Sequence, residues 1–140
     1  MLWKGRPERV VLRNAGLIKE FIVRHRLVTT FHADGYREYG KKCIESFIEF
    51  WPKNVELVVY SENTKVEPKA KNVKVINQGA VLHDLRVFKA KYKNNDFATG
   101  KNPWEDTSSA FFWDAVRFSS KVFAVTHAIR DSLGKYDQLI

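Results

Sequence analysis

The feature that most constrains this chain is an alternation of short apolar runs with one long amphipathic segment. Residues 26–31, "RLVTTF", are rich in β-branched and apolar residues and predict a buried strand. "HADG" supplies a polar turn. "YREYGKKCIESFIEFW" then sets Tyr36, Tyr39, Cys43, Ile44, Phe47, Ile48 and Trp51 at helical spacing, with charges opposite. Pro52 stops that helix, since proline lacks the amide proton that a further turn needs. "VELVVYSE" (55–62) predicts a second strand and "NVKVIN" (72–77) a third, separated by a loop that holds Pro68. Strand, covering helix and strand again is the pattern of a parallel sheet, because parallel neighbours need a crossover to return to the same end. The expected fold class is α/β, a parallel-sheet, Rossmann-like sandwich.

Further along, Leu82, Leu85, Phe88 and Tyr92 predict a helix with a basic outer side. "KNNDFATGKNPWEDT" is long for a loop, and such loops often serve as lids. Asp106, Thr107 and Ser108 offer a helix cap. After them Phe112, Ala115, Val116, Ser119, Val122, Phe123, Thr126 and Ile129 recur at helical spacing. Gly134 is the expected stop, and "YDQLI" opens a fourth strand. Near the start, Leu17, Ile18, Phe21 and Ile22 fit a short helical face, with an extended reading left open.

A chain of 140 residues supports one core rather than two. Hydrophobic residues at 44% and charged residues at 29% exclude a disordered composition. The lone Cys43 excludes an internal disulfide and any multi-cysteine metal site, and its position on the apolar helix face predicts a buried small hydrophobe. No apolar run reaches the roughly 20 residues of a membrane span, and the first residues lack the apolar core of a signal peptide. The expected setting is cytoplasmic. Charge is unevenly placed: residues 1–26 hold +5 of the net +8. We divide the chain into a basic N-terminal extension, 1–25, and an α/β domain, 26–140. The extension is a candidate polyanion contact, since counterion release favours such arms on phosphate backbones; the simpler reading is a solvated extension.

The segment "LVTTFHADGYREYGKKCIESFIEFWPKNVELVVYSEN" resembles the opening of a glycosyltransferase of the GT-A fold, with its "GY…YG…ESF…WP" pattern and following "VELVVY" strand. "FFWDAVRFSSKVFAVTHAI" resembles the helix that precedes the metal-binding strand of that family. The resemblance spans residues 27–62 and 111–140. It implies the nucleotide-binding half of a GT-A-like domain, left incomplete by these 140 residues. In the family, Asp-x-Asp carboxylates on the next strand hold Mg²⁺ or Mn²⁺ on the sugar-nucleotide diphosphate, and "YDQLI" matches only the start of that strand. The resemblance therefore implies no retained metal cofactor, impaired transfer and weak binding of a nucleotide-diphospho-sugar. The alternative is a non-catalytic structural or interaction protein of a larger assembly, using the basic arm. The C-terminal strand is a candidate surface for a protein partner or a second copy, because an open strand edge seeks pairing.

In open α/β sheets ligands gather at the carboxyl ends of the strands. Thr29, Thr30 and Phe31 close the first strand there, and the resemblance puts the nucleotide against them. Arg117 and Lys121, at i and i+4, project from one helical face and suit a diphosphate. An Asp114–Arg117 surface pair is the plainer account of that face. His32 and Asp34 fall at the edge of the site, where turn chemistry explains them equally well. Trp104 and Phe97 in the long loop are candidate acceptor platforms or core pins. His83, Asp84 and His127 have no partner visible in the sequence and are expected to be structural.

Overall fold

The structure, a computed structural model, describes residues 9–14, 17–22, 24–67, 70–101 and 114–140. The first elements, β1 (Arg9–Asn14) and β2 (Leu17–Ile22), pair antiparallel as a two-stranded hairpin, with Asn14 opposite Leu17. This corrects the helical reading of residues 17–22. Six residues are too few to repay the cost of nucleating a helix, whereas pairing gives the same residues a ladder partner.

The main sheet contains β3 (His25–His32), β4 (Glu56–Glu62), β5 (Val73–Asn77) and β6 (Gln138–Leu139). Its strand order is β5-β4-β3-β6, and all three pairings are parallel. The expected first three strands and the late fourth are all found. Leu27 lies opposite Leu57 and Val28 opposite Val58, so the two central strands run in matched alternation. Beyond β6, the Ile140 amide donates to the Arg26 carbonyl at 2.8 Å and the Val28 amide donates to the Ile140 carbonyl at 2.9 Å.

Side chains alternate across a strand, and the two faces of β4 show it. Leu57 and Val59 join Phe31, Ile44, Phe47 and Val73 in one apolar cluster. Val58 and Tyr60 join Leu82, Leu85, Ala124 and Ala128 in the other. Helices therefore cover both faces. On the first lie α1 (Ala33–Gly35), a π-helical turn (Tyr36–Gly40) and α2 (Lys41–Phe50). On the second lie α3 (Gln78–Val81), α4 (His83–Tyr92) and α5 (Ala115–Ser132). Trp51 turns extended ahead of Pro52, as the residue before a proline must when a helix ends there.

Two expected faces shift. Tyr36 packs against the same cluster as Ile44 and Phe47, whereas Tyr39, in the π turn that adds a residue to its turn, is 54% exposed. Ile44 and Phe47 are buried, while Cys43 beside them is exposed, which corrects its reading as a buried hydrophobe. Gly40 is where the turn closes on the strand: a Cβ there would meet the Phe31 ring at 3.0 Å. On α5 the buried residues are Ser119, Ser120, Ala124, Ala128 and Ser132. Val122 and Ile129, expected on the inner face, are exposed at 63% and 47%. Small side chains let the helix axis approach the sheet, and close packing of that kind outweighs the hydropathy of one turn. Asp114 caps α5 by accepting from the Arg117 amide at 2.8 Å. The expected capping residues 106–108 lie outside the described residues. Gly134 follows the helix at φ 72°, the left-handed conformation that glycine adopts at little cost.

Arg26, the first residue of the expected strand 26–31, lies within β3, and its charge is spent there. It is 3% exposed and meets Glu56 at 2.6 Å and Asp131 at 2.7 Å. It also donates to Ser132 Oγ at 3.0 Å and sits 4.0 Å from the Tyr136 ring centroid. Arg24 meets Asp137 more loosely: its backbone amide donates to the carboxylate at 2.8 Å, and its exposed guanidinium lies 3.9 Å away. Chain sections far apart in sequence cancel part of the arm's charge.

Candidate functional site

The carboxyl ends of β3, β4 and β5 open into a cavity of about 540 Å³. That volume lies within the range of small-molecule sites. From β3 and the turn after it come Thr30, Phe31, His32 and Asp34; from the end of β4 come Glu62 and Asn63; Gln78 follows β5 directly. Lys89 of α4 and Arg117, Phe118, Ser120 and Lys121 of α5 close the wall. The strand ends supply polar groups and the helices supply cations, because α4 and α5 pack on the Val58–Tyr60 face above those ends.

Of the residues singled out from sequence, Thr30, Phe31, His32, Asp34, Arg117 and Lys121 are thus brought together. Thr29 is not among the lining residues. Strand alternation puts it on the same face as Leu27, which packs against the α2 cluster. Phe31 is 4% exposed, and its ring packs edge-on to Tyr39 at 5.8 Å and tilted against Tyr36 at 6.4 Å. It borders the cavity as part of the core. His32 caps the turn, its Nδ1 accepting from the Gly35 amide at 3.3 Å, and Asp34 pairs with Arg37 on the surface. The expected polar turn "HADG" is instead the start of a helix, with His32 as its cap and Asp34 in an i,i+3 ion pair. Trp104 lies outside the described residues, and Phe97 is 67% exposed. His127 Nδ1 shares a 2.7 Å hydrogen bond with the hydroxyl of Tyr60, and Arg86 approaches His83 at 3.2 Å. Burial pushes the Tyr60 phenol up to about 12.

Sequence reasoning missed Glu62, Asn63, Gln78, Lys89 and Ser120. Glu62 is held from two sides: Lys89 pairs with one carboxylate oxygen and Ser120 Oγ donates to the other at 3.2 Å. Asn63 takes a left-handed φ of 51°, which asparagine tolerates, and so turns the chain at the cavity rim. The available signal was position, since each of Glu62, Asn63 and Gln78 directly ends or follows an apolar strand.

A divalent cation of the kind the resemblance implies does not fit the described residues. Asp34 is taken by Arg37 and Glu62 by Lys89 and Ser120, and no group of three metal-ligating side chains assembles among the described residues. Hard cations require several oxygen ligands in one shell. The cavity wall instead carries Arg117 and Lys121 of α5, with Lys89 already paired to Glu62. Among the described residues no helix is long and apolar enough to cross a membrane. Comparison with protein-family models, curated proteins and solved structures found no match.

Proposed function

We propose that this chain binds the nucleoside-diphosphate portion of a sugar nucleotide, as a glycosyltransferase-like α/β domain. The observation that carries the reading is the cavity at the carboxyl ends of parallel strands, whose lining includes Thr30 and His32 together with Arg117 and Lys121. Two cations one helical turn apart can engage successive phosphates, and charge-assisted hydrogen bonds are the stronger kind. The strand ends contribute neutral donors and acceptors for the ring portion. In the proposed family a divalent cation assists departure of the diphosphate; here the chain's own part is to hold and orient the anion.

Titration of UDP and of GDP into ¹⁵N-labelled protein tests this reading. Amide shifts are expected in residues 29–34, 62–63, 78 and 114–121, with affinity nearer millimolar than micromolar and weaker at higher salt. Silence in those segments for both nucleotides sinks the proposal.

A second reading, an interaction protein, is favoured by one observation. Val122, Val125, Ile129 and Leu133 are 41% to 73% exposed along the outer side of α5 and its end. Light scattering across a dilution series tests it: self-association that Val122→Ser and Ile129→Ser remove would favour this reading over ligand binding.

A further inference from the structure

The cavity at the carboxyl ends of the strands has two walls of different chemistry. Arg117 and Lys121 come from α5, which covers the Val58–Tyr60 face of the sheet. Phe31 and Tyr39 come from the end of β3 and the π turn, beside the cluster on the opposite face. The Phe31 ring is buried in that cluster and offers a ligand little surface. Phe118, another ring of the lining, belongs to the cationic wall, with Lys121 Nζ 6.0 Å from its centroid. Tyr39 differs from both. It lines the cavity, is more than half exposed, and its ring is braced edge-on against Phe31 at 5.8 Å. Its hydroxyl end reaches over Gly35 toward His32: a Cβ on Gly35 would stand 2.7 Å from the Tyr39 hydroxyl and 3.4 Å from His32 Nε2. His32 itself lines the cavity, so the ring stands at the corner where β3 passes into α1. A tyrosine offers a broad, rigid face and has few rotations to lose on binding, which suits it to hold a flat ring.

We infer that Tyr39 is a specificity-determining residue, whose ring stacks on the planar base of the ligand while the α5 cations take the diphosphate. This rests on the nucleoside-diphosphate reading above and assigns one part of the ligand to each wall. Stacking uses a π-face and no particular hydrogen-bond pattern, so the platform favours a ligand that carries a base over one that lacks it. Gly35 belongs to the same device. Its φ of −59° suits any residue, and the Tyr39 hydroxyl is what leaves no room for a side chain there.

Titrations of UDP, ribose 5-diphosphate and inorganic pyrophosphate, followed by amide shifts, test this. UDP should bind the wild-type protein about tenfold more tightly than ribose 5-diphosphate, the usual effect of stacking one base. Tyr39→Ala should erase that difference and leave pyrophosphate affinity unchanged. Tyr39→Phe keeps the π-face and should preserve it, and Gly35→Ala, which pushes the Tyr39 hydroxyl aside, should narrow it. Should Tyr39→Ala fail to fold by circular dichroism, nuclear Overhauser contacts between the Tyr39 ring and the uracil protons of UDP in wild-type protein decide: their presence supports the platform and their absence overturns it. Equal affinity of wild-type protein for UDP and ribose 5-diphosphate overturns the inference and leaves the proposed function standing. So does a preference that survives Tyr39→Ala or vanishes in Tyr39→Phe. Failure of wild-type protein to bind pyrophosphate or any nucleotide overturns both.

Discussion

At the amino end of the main sheet, Arg26 is enclosed by Glu56, Asp131, Ser132 and the Tyr136 ring. At the carboxyl end, Lys89, Arg117 and Lys121 line a cavity of about 540 Å³, opposite the polar ends of three strands. Both ends concentrate positive charge, and both draw on α5. They differ in what faces the charge. Arg26 meets carboxylates within 2.7 Å and is sealed from water, so its charge is consumed by the fold. The carboxyl-end cations surround volume as well as partners. Cationic chemistry in this molecule thus has a structural address and a candidate binding address, and mutations should separate the two.

The largest effect is expected at the amino end. Arg26→Met leaves Glu56 and Asp131 near one another without their shared cation. Breaking a buried pair from one side costs about 3 kcal/mol, at the low end of the usual range, because Arg26 is buried while Glu56 and Asp131 keep 25% and 30% exposure. Urea unfolding should show that loss, while pyrophosphate binding by the folded fraction stays unchanged. A loss below about 1 kcal/mol would mean that the network is surface-like and would erase the contrast between the two ends.

The reverse pattern is expected for Arg117→Ala combined with Lys121→Ala. Binding of UDP should fall by about 100-fold, equivalent to about 2.7 kcal/mol, and so drop below detection. Stability should move by less than about 1 kcal/mol, as for most exposed charges. If stability collapses and binding persists, the addresses have been assigned the wrong way round.

Acid titration sharpens the amino end further. The hydrogen bond from Arg26, then that from Lys135, holds the Asp131 carboxyl down to about 2, against an ordinary value near 3.8. A carboxyl depressed in the folded state stabilises the protein above its unfolded value, and that contribution disappears as pH falls through the folded value. The loss should therefore run from about pH 4 to about pH 2. With Asp131 partly exposed, solvent screening reduces it to on the order of 1 kcal/mol. Asp131→Asn should flatten this limb of the stability profile; an unchanged slope would show that other carboxylates carry it.

Much of the sheet was legible because central parallel strands are continuous apolar runs, and "VELVVY" has no other comfortable home. The inner face of α5 was not legible. Hydropathy marks Val122 and Ile129, whereas the sheet accepts Ser119, Ala124 and Ala128, chosen by size rather than by apolarity. Arg117 and Lys121 were legible as neighbours on one cavity wall because one helical turn fixes their relation locally. Glu62, Gln78 and Lys89 were hidden because strand order and the seat of α4 bring them together, and no local pattern encodes either. The partners of Arg26 were hidden for the same reason: Asp131 reaches it from α5, more than a hundred residues away.

The smallest expected effect tests how finished the carboxyl end is. Glu62 is the one acidic side chain in that wall fixed by both a cation and a hydroxyl, Lys89 and Ser120. Its side chain is 30% exposed and that of Lys89 is 26% exposed, so the pair resembles a surface ion pair, worth under about 1 kcal/mol to stability. Toward a diphosphate, however, the carboxylate acts twice. It occupies Lys89, and it repels the incoming anion across a cavity where screening is weaker than in bulk water. Glu62→Gln keeps the shape and leaves an acceptor for Ser120, but removes the charge. Pyrophosphate and UDP should then bind roughly threefold more tightly, about 0.6 kcal/mol, with a steeper dependence on salt. Weaker UDP binding with unchanged pyrophosphate binding would give Glu62 a different part, that of an acceptor for hydroxyls on the neutral portion of the ligand. Tighter binding of both would show that the carboxyl end, unlike the amino end, keeps its charges only partly satisfied until an anion enters.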